Sequence, residues 1–469
     1  MVIKSKKSLT DIELAGMHYS GRSYGFIGPK RIYLDYGIPG EHVDVSNVRR
    51  EGDYLRGSVS AVNNSVAGRT MPFCKHFGIC GGCSWQHISY DAQLELKRQI
   101  LSDAFTRHGI AFPEIPLPIA APATVNFRHR LDYSFSSRRW YYEGEGKVED
   151  PRQRIALGFH PVDNPFKVLE IEECHLQPQP SRRICEAIKM ITCQNSYSYY
   201  DPKEKTGLLR QLSIRINRHG EAMVIMAITE DDHLMADFLA TEINRQIPEI
   251  VSQWCSVVPD IQQSWQEGKL RHLSGAEYLT ETANGLSFRI HPCSFYQPNS
   301  AQAERFFAHI REIANLSKND RVYDLYSGIG TLSLSLAERA GEVIGIEGSV
   351  HATANAVHNA RLNGFENCRF ITGDVLATFT PDFIQVHGKP DLVILDPPRS
   401  GTLIEIKKTI LESGPGKIIY LSCDPLSLAR DLKMLTQGYS ITHIQPYDQV
   451  PHTHHLETLV MLEKQQFSN

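Results

Sequence analysis

The second half of this chain repeats one structural unit, and that repetition constrains the fold more than any other feature. From about residue 286 onward, apolar runs alternate with glycine-containing loops and helix-like stretches, as in "RVYDLYSGIG", "GEVIGIEG", "CRFITGD", "DLVILD" and "KIIYLSC". Such alternation predicts a parallel sheet with helices on both faces. Sheets of this kind bind ligands beyond the carboxyl ends of their strands. We therefore expect the functional residues at those strand ends.

Changes in composition divide the chain into three predicted domains. Residues 1–66 alternate short apolar runs with turn signals, a pattern typical of a small antiparallel barrel. Residues 67–285 begin with crowded cysteines and continue with strand-like pieces, and "YEGEGKVEDPRQR" within them predicts an exposed loop. Residues 286–469 carry the repeated unit. The predicted fold class is therefore multidomain α/β, and 469 residues suit two or three domains.

Charge and cysteine content limit the location and the partners. No apolar segment follows the basic start "MVIKSKK", and the apolar runs are too short to cross a bilayer. We expect a cytoplasmic protein without membrane association, whose ten cysteines are thiols rather than disulfides. The net charge of -4 gives no overall sign of a nucleic-acid partner, so any basic surface is local. No obligatory protein partner is predicted.

The predicted strand ends carry glycines and acids but lack a full dinucleotide motif. Gly328 and Gly330 allow a close approach of the backbone to a ligand, and Ser333 stands where a third glycine would complete that motif. A carboxylate placed like Glu347 can accept hydrogen bonds from a ribose diol. Acidic strand ends suit a ligand with a ribose, an ammonium and a sulfonium but no phosphate, which is S-adenosylmethionine. The acids at these ends are Glu347, Asp374 and Asp396.

Cys423 closes the fifth predicted strand, in "IIYLSCDPLSLARDL". A cysteine at such a position is either a packing residue of the core or a nucleophile. The motif "DPPRSG" has Arg399 where methylases of exocyclic amines have a stacking aromatic residue, which disfavours amine chemistry. C5 of a pyrimidine attacks a methyl donor only after a thiolate has added to C6. An exposed thiolate beside the donor would therefore suit Cys423 to that reaction.

The same reaction needs a base, because the C5 proton must leave before the thiolate is expelled. Glu457, which begins an apolar run after "DQVPHTHH", is the candidate. The alternative is that Glu457 is only a solvated strand end.

Five motifs together resemble the S-adenosylmethionine-dependent RNA 5-methyluridine methyltransferase family. They are "FYQPN", "DLYSGIGTLSL", "ILDPPRSG", "IIYLSCDPLSLARDL" and "DQVPHTHHLE", and the resemblance extends over essentially the whole chain. It implies a Rossmann-like class I methyltransferase sheet in residues 286–469. It also implies that Cys423 is the nucleophile and Glu457 the base.

The resemblance also assigns the cofactor site. Asp396 is expected to face the uracil as well, and Thr331 departs from the asparagine that relatives often have. The expected cofactor residues are Gln297, Tyr326, Gly328, Gly330, Thr331, Glu347, Asp374 and Asp396.

A second cysteine group lies in "CKHFGICGGCSWQH". Four thiolates can hold zinc or an iron-sulfur cluster, and the spacing alone leaves both open. The resemblance implies a [4Fe-4S] cluster. Its expected ligands are Cys74, Cys80, Cys83 and Cys174.

RNA contact is expected from two regions. The barrel, residues 1–66, resembles the OB-like TRAM domain, and its "PKR" and "NVRREG" supply local positive charge. In "NFRHRLDYSF", rings and cations interleave as they do in proteins that hold unpaired RNA, although an ordinary strand with one cationic face has the same pattern. The residues concerned are Phe127, Arg128, His129, Arg130 and Tyr133.

The expected function is transfer of a methyl group from S-adenosylmethionine to C5 of a uridine in 23S ribosomal RNA, because the family members with iron-sulfur cysteines resemble ribosomal RNA enzymes. Two alternatives stay open. One is another acceptor on the same fold, a transfer-RNA uridine or an RNA cytosine. The other is a non-enzymatic, iron-sulfur RNA-binding or redox-sensing protein, which the motifs around Cys423 and Glu457 disfavour.

Overall fold

A computed structural model describes residues 7–142, 144–145, 150, 154–260 and 262–465. Most of the loop predicted at "YEGEGKVEDPRQR" lies outside these residues. The chain forms two compact units, and each is interrupted in sequence. The first comprises Met1–Gly78, Cys83–Ala121 and Leu395–Asn469, and the second comprises Ile79–Gly82 and Pro122–Ile394. The division into domains at residues 66 and 285 stays a prediction.

The first unit begins with a closed five-stranded barrel in the order β1-β2-β3-β5-β4. The predicted barrel is confirmed, but it is not antiparallel throughout, because β3 and β5 pair in parallel. Apolar side chains at alternating positions fill it: Leu14, Ile32, Leu34, Val43 and Val45. A long helix, α1, follows, and Gly109 in a left-handed conformation ends it. The elements are β1 (Lys7–Met17), β2 (Ser23–Ile27), β3 (Lys30–Asp35), β4 (His42–Glu51), β5 (Tyr54–Asn64) and α1 (Tyr90–His108).

The second unit contains an eight-stranded mixed sheet in the order β13-β12-β11-β10-β6-β8-β9-β7. Apolar residues of two helices pack with residues of this sheet in one core cluster. The elements are β6 (Arg130–Ser136), β7 (Arg139–Trp140), β8 (Ala156–Phe159), β9 (Val168–Glu170), α2 (Ser181–Gln194), β10 (Leu209–Ile216), β11 (Ala222–Ile228), α3 (His233–Gln246), β12 (Ile250–Val257) and β13 (Lys269–Gly275).

The second unit also holds the first part of the repeated strand-and-helix region. Strands β18, β17, β16 and β19 are neighbours in that order, and β17 pairs in parallel with both β16 and β18. A hairpin of β14 and β15 precedes them. The elements are β14 (Leu279–Ala283), β15 (Leu286–Ile290), α4 (Ser300–Ile313), β16 (Arg321–Leu325), α5 (Thr331–Ala337), β17 (Glu342–Glu347), α6 (Val350–Leu362), β18 (Cys368–Thr372), α7 (Val375–Thr378), α8 (Pro381–His387) and β19 (Leu392–Leu395).

The chain then returns to the first unit for its last strands. Strand β22 pairs antiparallel with both β20 and β21. Almost all residues of β20 and β22 are buried, as their apolar sequences predict. None of the described helices is long and apolar enough to cross a membrane. The elements are α9 (Ile404–Ser413), β20 (Lys417–Ser422), α10 (Pro425–Leu435), β21 (Tyr439–Tyr447) and β22 (Glu457–Lys464).

Candidate functional site

Cys423 occupies the junction between β20 and α10 in the first unit. The preceding strand is buried, and the helix starts at Pro425, whose fixed φ suits a first helical position. Asp424 caps that helix: its carboxylate accepts hydrogen bonds from the backbone N–H groups of Leu426 at 3.1 Å and Ser427 at 2.8 Å. The half-buried cysteine is thus fixed between a strand and a capped helix.

Glu457 begins the strand that pairs with β20. In that antiparallel ladder Ser422 lies opposite Thr458. Cys423 directly follows β20 and Glu457 directly precedes Thr458, so both residues lie next to this last pair of the ladder. They also interact electrostatically, because the Glu457 carboxylate contributes to raising the pKa of the Cys423 thiol. The first unit therefore brings the predicted nucleophile and the predicted base together.

Burial dominates the electrostatics of this pair. It raises the pKa of the Cys423 thiol to about 12, and the neighbouring carboxylates of Glu457 and Asp396 act in the same direction. The guanidinium of Arg399 favours the thiolate. Glu457 is 7% exposed, and burial raises the pKa of its carboxyl well above the ordinary value, with Asp396 contributing. At neutral pH, both groups therefore hold their protons more firmly than they would in water.

The loop that leads into Glu457 is held by a buried ion pair. Tyr447 at the end of β21 pairs with Glu457, so residues 448–456 form the connecting loop. At its start, Asp448 accepts a hydrogen bond from the ammonium of Lys97 at 2.6 Å, and both side chains are fully buried. Removing one partner of a buried ion pair leaves an uncompensated charge, which is strongly destabilising. The pair therefore fixes the start of the loop against α1.

A second set of contacts holds the same loop at His452, whose backbone adopts a left-handed φ of 64°. Its carbonyl accepts hydrogen bonds from the backbone N–H groups of Ser84 and Trp85 at 3.0 and 2.9 Å. Its N–H donates to the side-chain oxygen of Gln93 at 2.9 Å. The Gln93 amide in turn donates to the carbonyls of Trp85 and Ile88. Residues 84–97 thus hold the loop that positions Glu457.

In the second unit, the glycine loop leaves β16 with unusual backbone angles. Tyr326, Gly328 and Gly330 have φ of 69°, 56° and 84°, in the left-handed region that glycine tolerates best. A side chain at Gly330 would approach Phe370 to 3.0 Å, whereas one at Gly328 would meet no atom within 4 Å. Gly328 therefore faces open space, where a ligand can approach the backbone.

Glu347 is anchored beside this loop. One carboxylate oxygen accepts a hydrogen bond from the Gly328 N–H at 3.0 Å, and the other accepts one from the Ser349 N–H at 2.7 Å. The side chain is only half-buried. Each oxygen keeps a lone pair for a further donor. This donor chemistry fits the hydroxyl groups of a ribose, as S-adenosylmethionine would present them.

Ser333, at the position of the missing third glycine, is a buried structural residue. Its hydroxyl donates to the carboxylate of Asp324 at 2.6 Å and so joins α5 to the end of β16. Asp324 is fully buried, and burial raises its pKa to about 7. Asp324 therefore holds the helix that follows the glycine loop.

The remaining predicted cofactor residues lie at element ends. Gln297 is buried and precedes α4, and Thr331 is the first residue of α5. Asp374 caps α7 by accepting a hydrogen bond from the Ala377 N–H at 3.1 Å, so one of its carboxylate oxygens already has a hydrogen-bond donor within the protein. Asp396 follows β19 directly and belongs to the first unit, unlike the other predicted cofactor residues.

The structure does not show the predicted metal site. Among the residues that it describes, no group of three or more histidine, cysteine or acidic side chains is arranged to hold a metal ion. No disulfide joins any of the ten cysteines, all of which are described. The described residues therefore do not form a binding site for a metal cluster in this structure. The four cysteines concerned, Cys74, Cys80, Cys83 and Cys174, are all half-buried.

The prediction that "NFRHRLDYSF" contacts RNA needs correction at two positions. His129 and Tyr133 are each 3% exposed, so their rings are not accessible to unpaired bases. The Tyr133 hydroxyl donates to Gln177, and Arg130 pairs with Asp132. In β6 the rings of Tyr133 and Phe135 alternate with polar residues, which is the pattern of a strand with one buried face, and His129 precedes this strand.

Two other residues of this segment, Phe127 and Arg128, border open space. They line a cavity of about 280 Å³ in the second unit, together with Arg218 and Asn299. The prediction of RNA contact therefore stays a prediction for Phe127 and Arg128, which line this cavity.

The chain is similar to known RNA methyltransferases. A family model described as tRNA (Uracil-5-)-methyltransferase matches residues 271–465. A relative from Porphyromonas gingivalis, named as an RNA methyltransferase, is 36% identical over 460 residues, which cover 96% of this chain and 99% of the relative. Another RNA methyltransferase, from Caldanaerobacter subterraneus, is 32% identical over 467 residues, with 98% and 100% coverage.

A solved structure is similar over the same span. It is the tRNA (uracil-54, C5)-methyltransferase of Pyrococcus abyssi in complex with S-adenosyl-L-homocysteine. The TM-score is 0.76 at 27% identity, and the alignment covers 97% of this chain and 99% of the other. This likeness shows an α/β methyltransferase fold that carries a five-stranded barrel near the start of the chain.

Proposed function

This chain belongs to the family of S-adenosylmethionine-dependent RNA uracil-5-methyltransferases, and from that premise we propose that it methylates C5 of one specific uridine in 23S ribosomal RNA. The observation that supports the proposed chemistry best is the register of β20 and β22, whose last pair, Ser422 opposite Thr458, consists of the immediate chain neighbours of Cys423 and Glu457. A cytoplasmic location is part of the proposal.

In the proposed reaction, the sulfur of Cys423 forms a bond to C6 of the uracil, and the electrons of the C5–C6 double bond move toward C5 and O4. S-adenosylmethionine supplies an electrophilic methyl group on a sulfonium. C5 would form a bond to this methyl carbon as the bond from the methyl carbon to the sulfonium sulfur breaks, and S-adenosylhomocysteine would leave with that electron pair. Glu457 would then accept the C5 proton, the C5–C6 double bond would form again, and the Cys423 sulfur would leave C6 as a thiolate. Atoms and electrons balance, and Cys423 is regenerated.

The environment of Glu457 suits the role of base. Burial raises the pKa of its carboxyl, and a carboxylate with a raised pKa is a stronger base toward a proton on carbon. Cys423 has the opposite requirement, because its thiol must lose a proton before it attacks. Arg399 is the cation that favours this loss, and we assign that supporting role to it.

We assign cofactor binding to the second unit. Glu347 would accept hydrogen bonds from the ribose, and the open side of Gly328 would let the backbone approach the cofactor. Asp396, which follows β19 directly, is also a proposed cofactor contact. The other proposed contacts are Gln297, Tyr326, Gly330, Thr331 and Asp374.

A second candidate substrate is a transfer-RNA uridine. The similar Pyrococcus abyssi enzyme is a methyltransferase of uracil-54 in tRNA, and its likeness to this protein extends over nearly the whole of both chains. The two candidates share the catalytic pair and differ only in the RNA that is bound.

Mapping of methylated nucleosides separates the candidates. 5-Methyluridine would be located by mass spectrometry in ribosomal and transfer RNA of cells with and without the gene. Loss of one position in 23S ribosomal RNA, restored by the intact gene, is the expected result. Loss only in transfer RNA would establish the second candidate. Loss of a 5-methylcytosine instead, or of no methylated nucleoside, would refute uridine methylation.

The [4Fe-4S] cluster is a separate proposal. Its support is the cysteine pattern and the resemblance to the methyltransferase family, and no step of the reaction passes through it. Protein purified without oxygen should contain iron and acid-labile sulfide in equal amounts. Zinc in their place, or no metal at all, would refute the cluster. The TRAM character of the barrel is likewise a proposal, which measurements of RNA binding by barrel variants test.

A further inference from the structure

The outer surface of the barrel carries aromatic rings where a small barrel usually carries polar groups. Along β3, Ile32 and Leu34 are fully buried, so the alternate residues Arg31 and Tyr33 lie on the outer side. In the ladder with β2, Tyr24 lies opposite Tyr33, and Phe26 lies opposite Arg31. Two neighbouring strands thus present three rings and one guanidinium outward.

These side chains contact one another. The Arg31 guanidinium lies 4.7 Å from the ring centre of Tyr24 and 5.6 Å from that of Phe26. It also donates a hydrogen bond to the Tyr33 hydroxyl at 3.2 Å. The Tyr54 ring, at the start of β5, meets the Tyr33 ring edge-on at 5.1 Å.

Tyr19 extends the group through His18, whose ring centre is 3.9 Å from that of Tyr19 and 4.6 Å from that of Tyr33. We call the set the barrel aromatic face: Tyr19, Tyr24, Phe26, Arg31, Tyr33 and Tyr54.

Folding of the barrel does not explain this face. The core lies on the inner side, whereas Phe26, Tyr19 and Tyr54 remain 51%, 42% and 40% exposed. A contiguous exposed apolar surface on a single chain indicates an interaction site.

The charge of the face favours a polyanion. Of the described residues, no carboxylate forms an ion pair with Arg31, so its charge is not neutralised within the barrel. The pKa of His18 is consistent with this positive charge: burial, and after it the charges of Arg107, Arg31 and Arg22, lower it to about 4. Exposed rings that surround an available guanidinium are the groups on which unpaired nucleotides stack.

We propose that the barrel aromatic face binds unpaired nucleotides of the substrate RNA, by stacking bases on Phe26, Tyr54 and Tyr19 while Arg31 attracts the backbone. The inference rests on the proposed function and adds to it a binding mode and a place. The sequence predicted that "NVRREG" attracts RNA by positive charge, whereas this proposal places RNA on exposed rings. In "NVRREG", Arg49 pairs with Glu51 and Arg50 donates a hydrogen bond to a backbone carbonyl.

Binding of a fluorescently labelled single-stranded oligoribonucleotide by the full chain tests the proposal. Phe26→Ala and Tyr54→Ala should each raise Kd by at least about fivefold, the lower range for loss of one stacked base. Phe238→Ala is the matched control: its ring is also 40% exposed, but it lies on α3 of the second unit. The control should bind as tightly as the unaltered chain.

Arg31→Lys separates stacking from charge. It keeps the positive charge, so the dependence of Kd on salt should be unchanged while Kd rises. The thermal unfolding midpoint of each variant checks that the barrel remains folded, and Tyr54→Phe, which keeps the ring, should bind normally. Unchanged affinity in the folded Phe26→Ala and Tyr54→Ala variants overturns the proposal, as does equal weakening by Phe238→Ala.

These outcomes are distinct from failure of the proposed function. The face affects RNA affinity, so its variants should raise KM for RNA and leave kcat nearly unchanged. If the unaltered chain methylates no uridine but its RNA affinity still falls with Phe26→Ala, the proposed function fails and the face survives. If uridine is methylated and affinity does not fall, the face fails alone.

Discussion

Two glutamates at strand ends occupy contrasting environments in this protein. Glu347, in the second unit, is half-buried and accepts one backbone N–H with each oxygen, so the backbone fixes the position of its side chain. Glu457, in the first unit, is buried beside Asp396, and its pKa is raised. One environment is suited to holding a ligand and the other to exchanging a proton. Sequence position at a strand end is therefore not sufficient to define a role.

The largest effect is expected at Cys423, the proposed nucleophile beside Glu457. Cys423→Ala should reduce methyl transfer by at least about 10⁴-fold, because the nucleophile of a covalent mechanism is lost. Affinity for S-adenosylmethionine, measured by calorimetry, should stay within about twofold, within the ordinary scatter of such contacts. Turnover that survives the substitution would contradict the assignment.

Glu457→Gln should reduce turnover by about 10²–10⁴-fold, the usual contribution of a positioned base. The adduct between Cys423 and RNA should still form and should accumulate as a slow-migrating band on denaturing gels. Glu347→Gln is the matched control, since it should weaken cofactor binding without accumulation of the adduct. If both variants behave alike, the two glutamates do not differ in role.

Lys97→Met should lower the free energy of unfolding by about 3–5 kcal/mol, because it leaves Asp448 buried without a counter-ion. The double variant Lys97→Met, Asp448→Leu should recover most of this loss, as judged by thermal unfolding midpoints. Its kcat should remain low because the loop before Glu457 has lost its anchor. A double variant with full kcat would show that the pair serves stability alone.

The smallest effect is expected at Arg399. Burial raises the pKa of Cys423, so the thiolate fraction, and with it the rate of alkylation by iodoacetamide, should rise about tenfold per pH unit from pH 7 to pH 10. Arg399→Gln removes a charge that favours the thiolate and should slow alkylation about twofold to fivefold. Mass spectrometry of the peptide that contains Cys423 measures the rate. A plateau near neutral pH would contradict the raised pKa.

The sequence predicted those parts of the site that depend on local patterns. The glycine turn at 328–330, the strand that ends before Cys423 and the barrel were all recognised from apolar runs and turn residues. Lys97 and Gln93 were missed, because both look like ordinary solvent-facing residues of a helix. The partner of Lys97 lies 351 positions away, so no local signal marks the pair. The burial of Tyr133 was predictable, because Tyr133 alternates with polar residues on the apolar face of β6, whereas His129 precedes that strand and no alternating pattern includes it.

The discontinuity of the first unit has a consequence for synthesis of the protein. The barrel and α1 leave the ribosome long before β21 and β22, yet the loop after β21 is held by residues of α1. Lys97 therefore has no counter-ion until Asp448 has been translated. The polypeptide completes its methyl-transfer apparatus only when its late and early segments meet, so a prematurely terminated product cannot modify RNA.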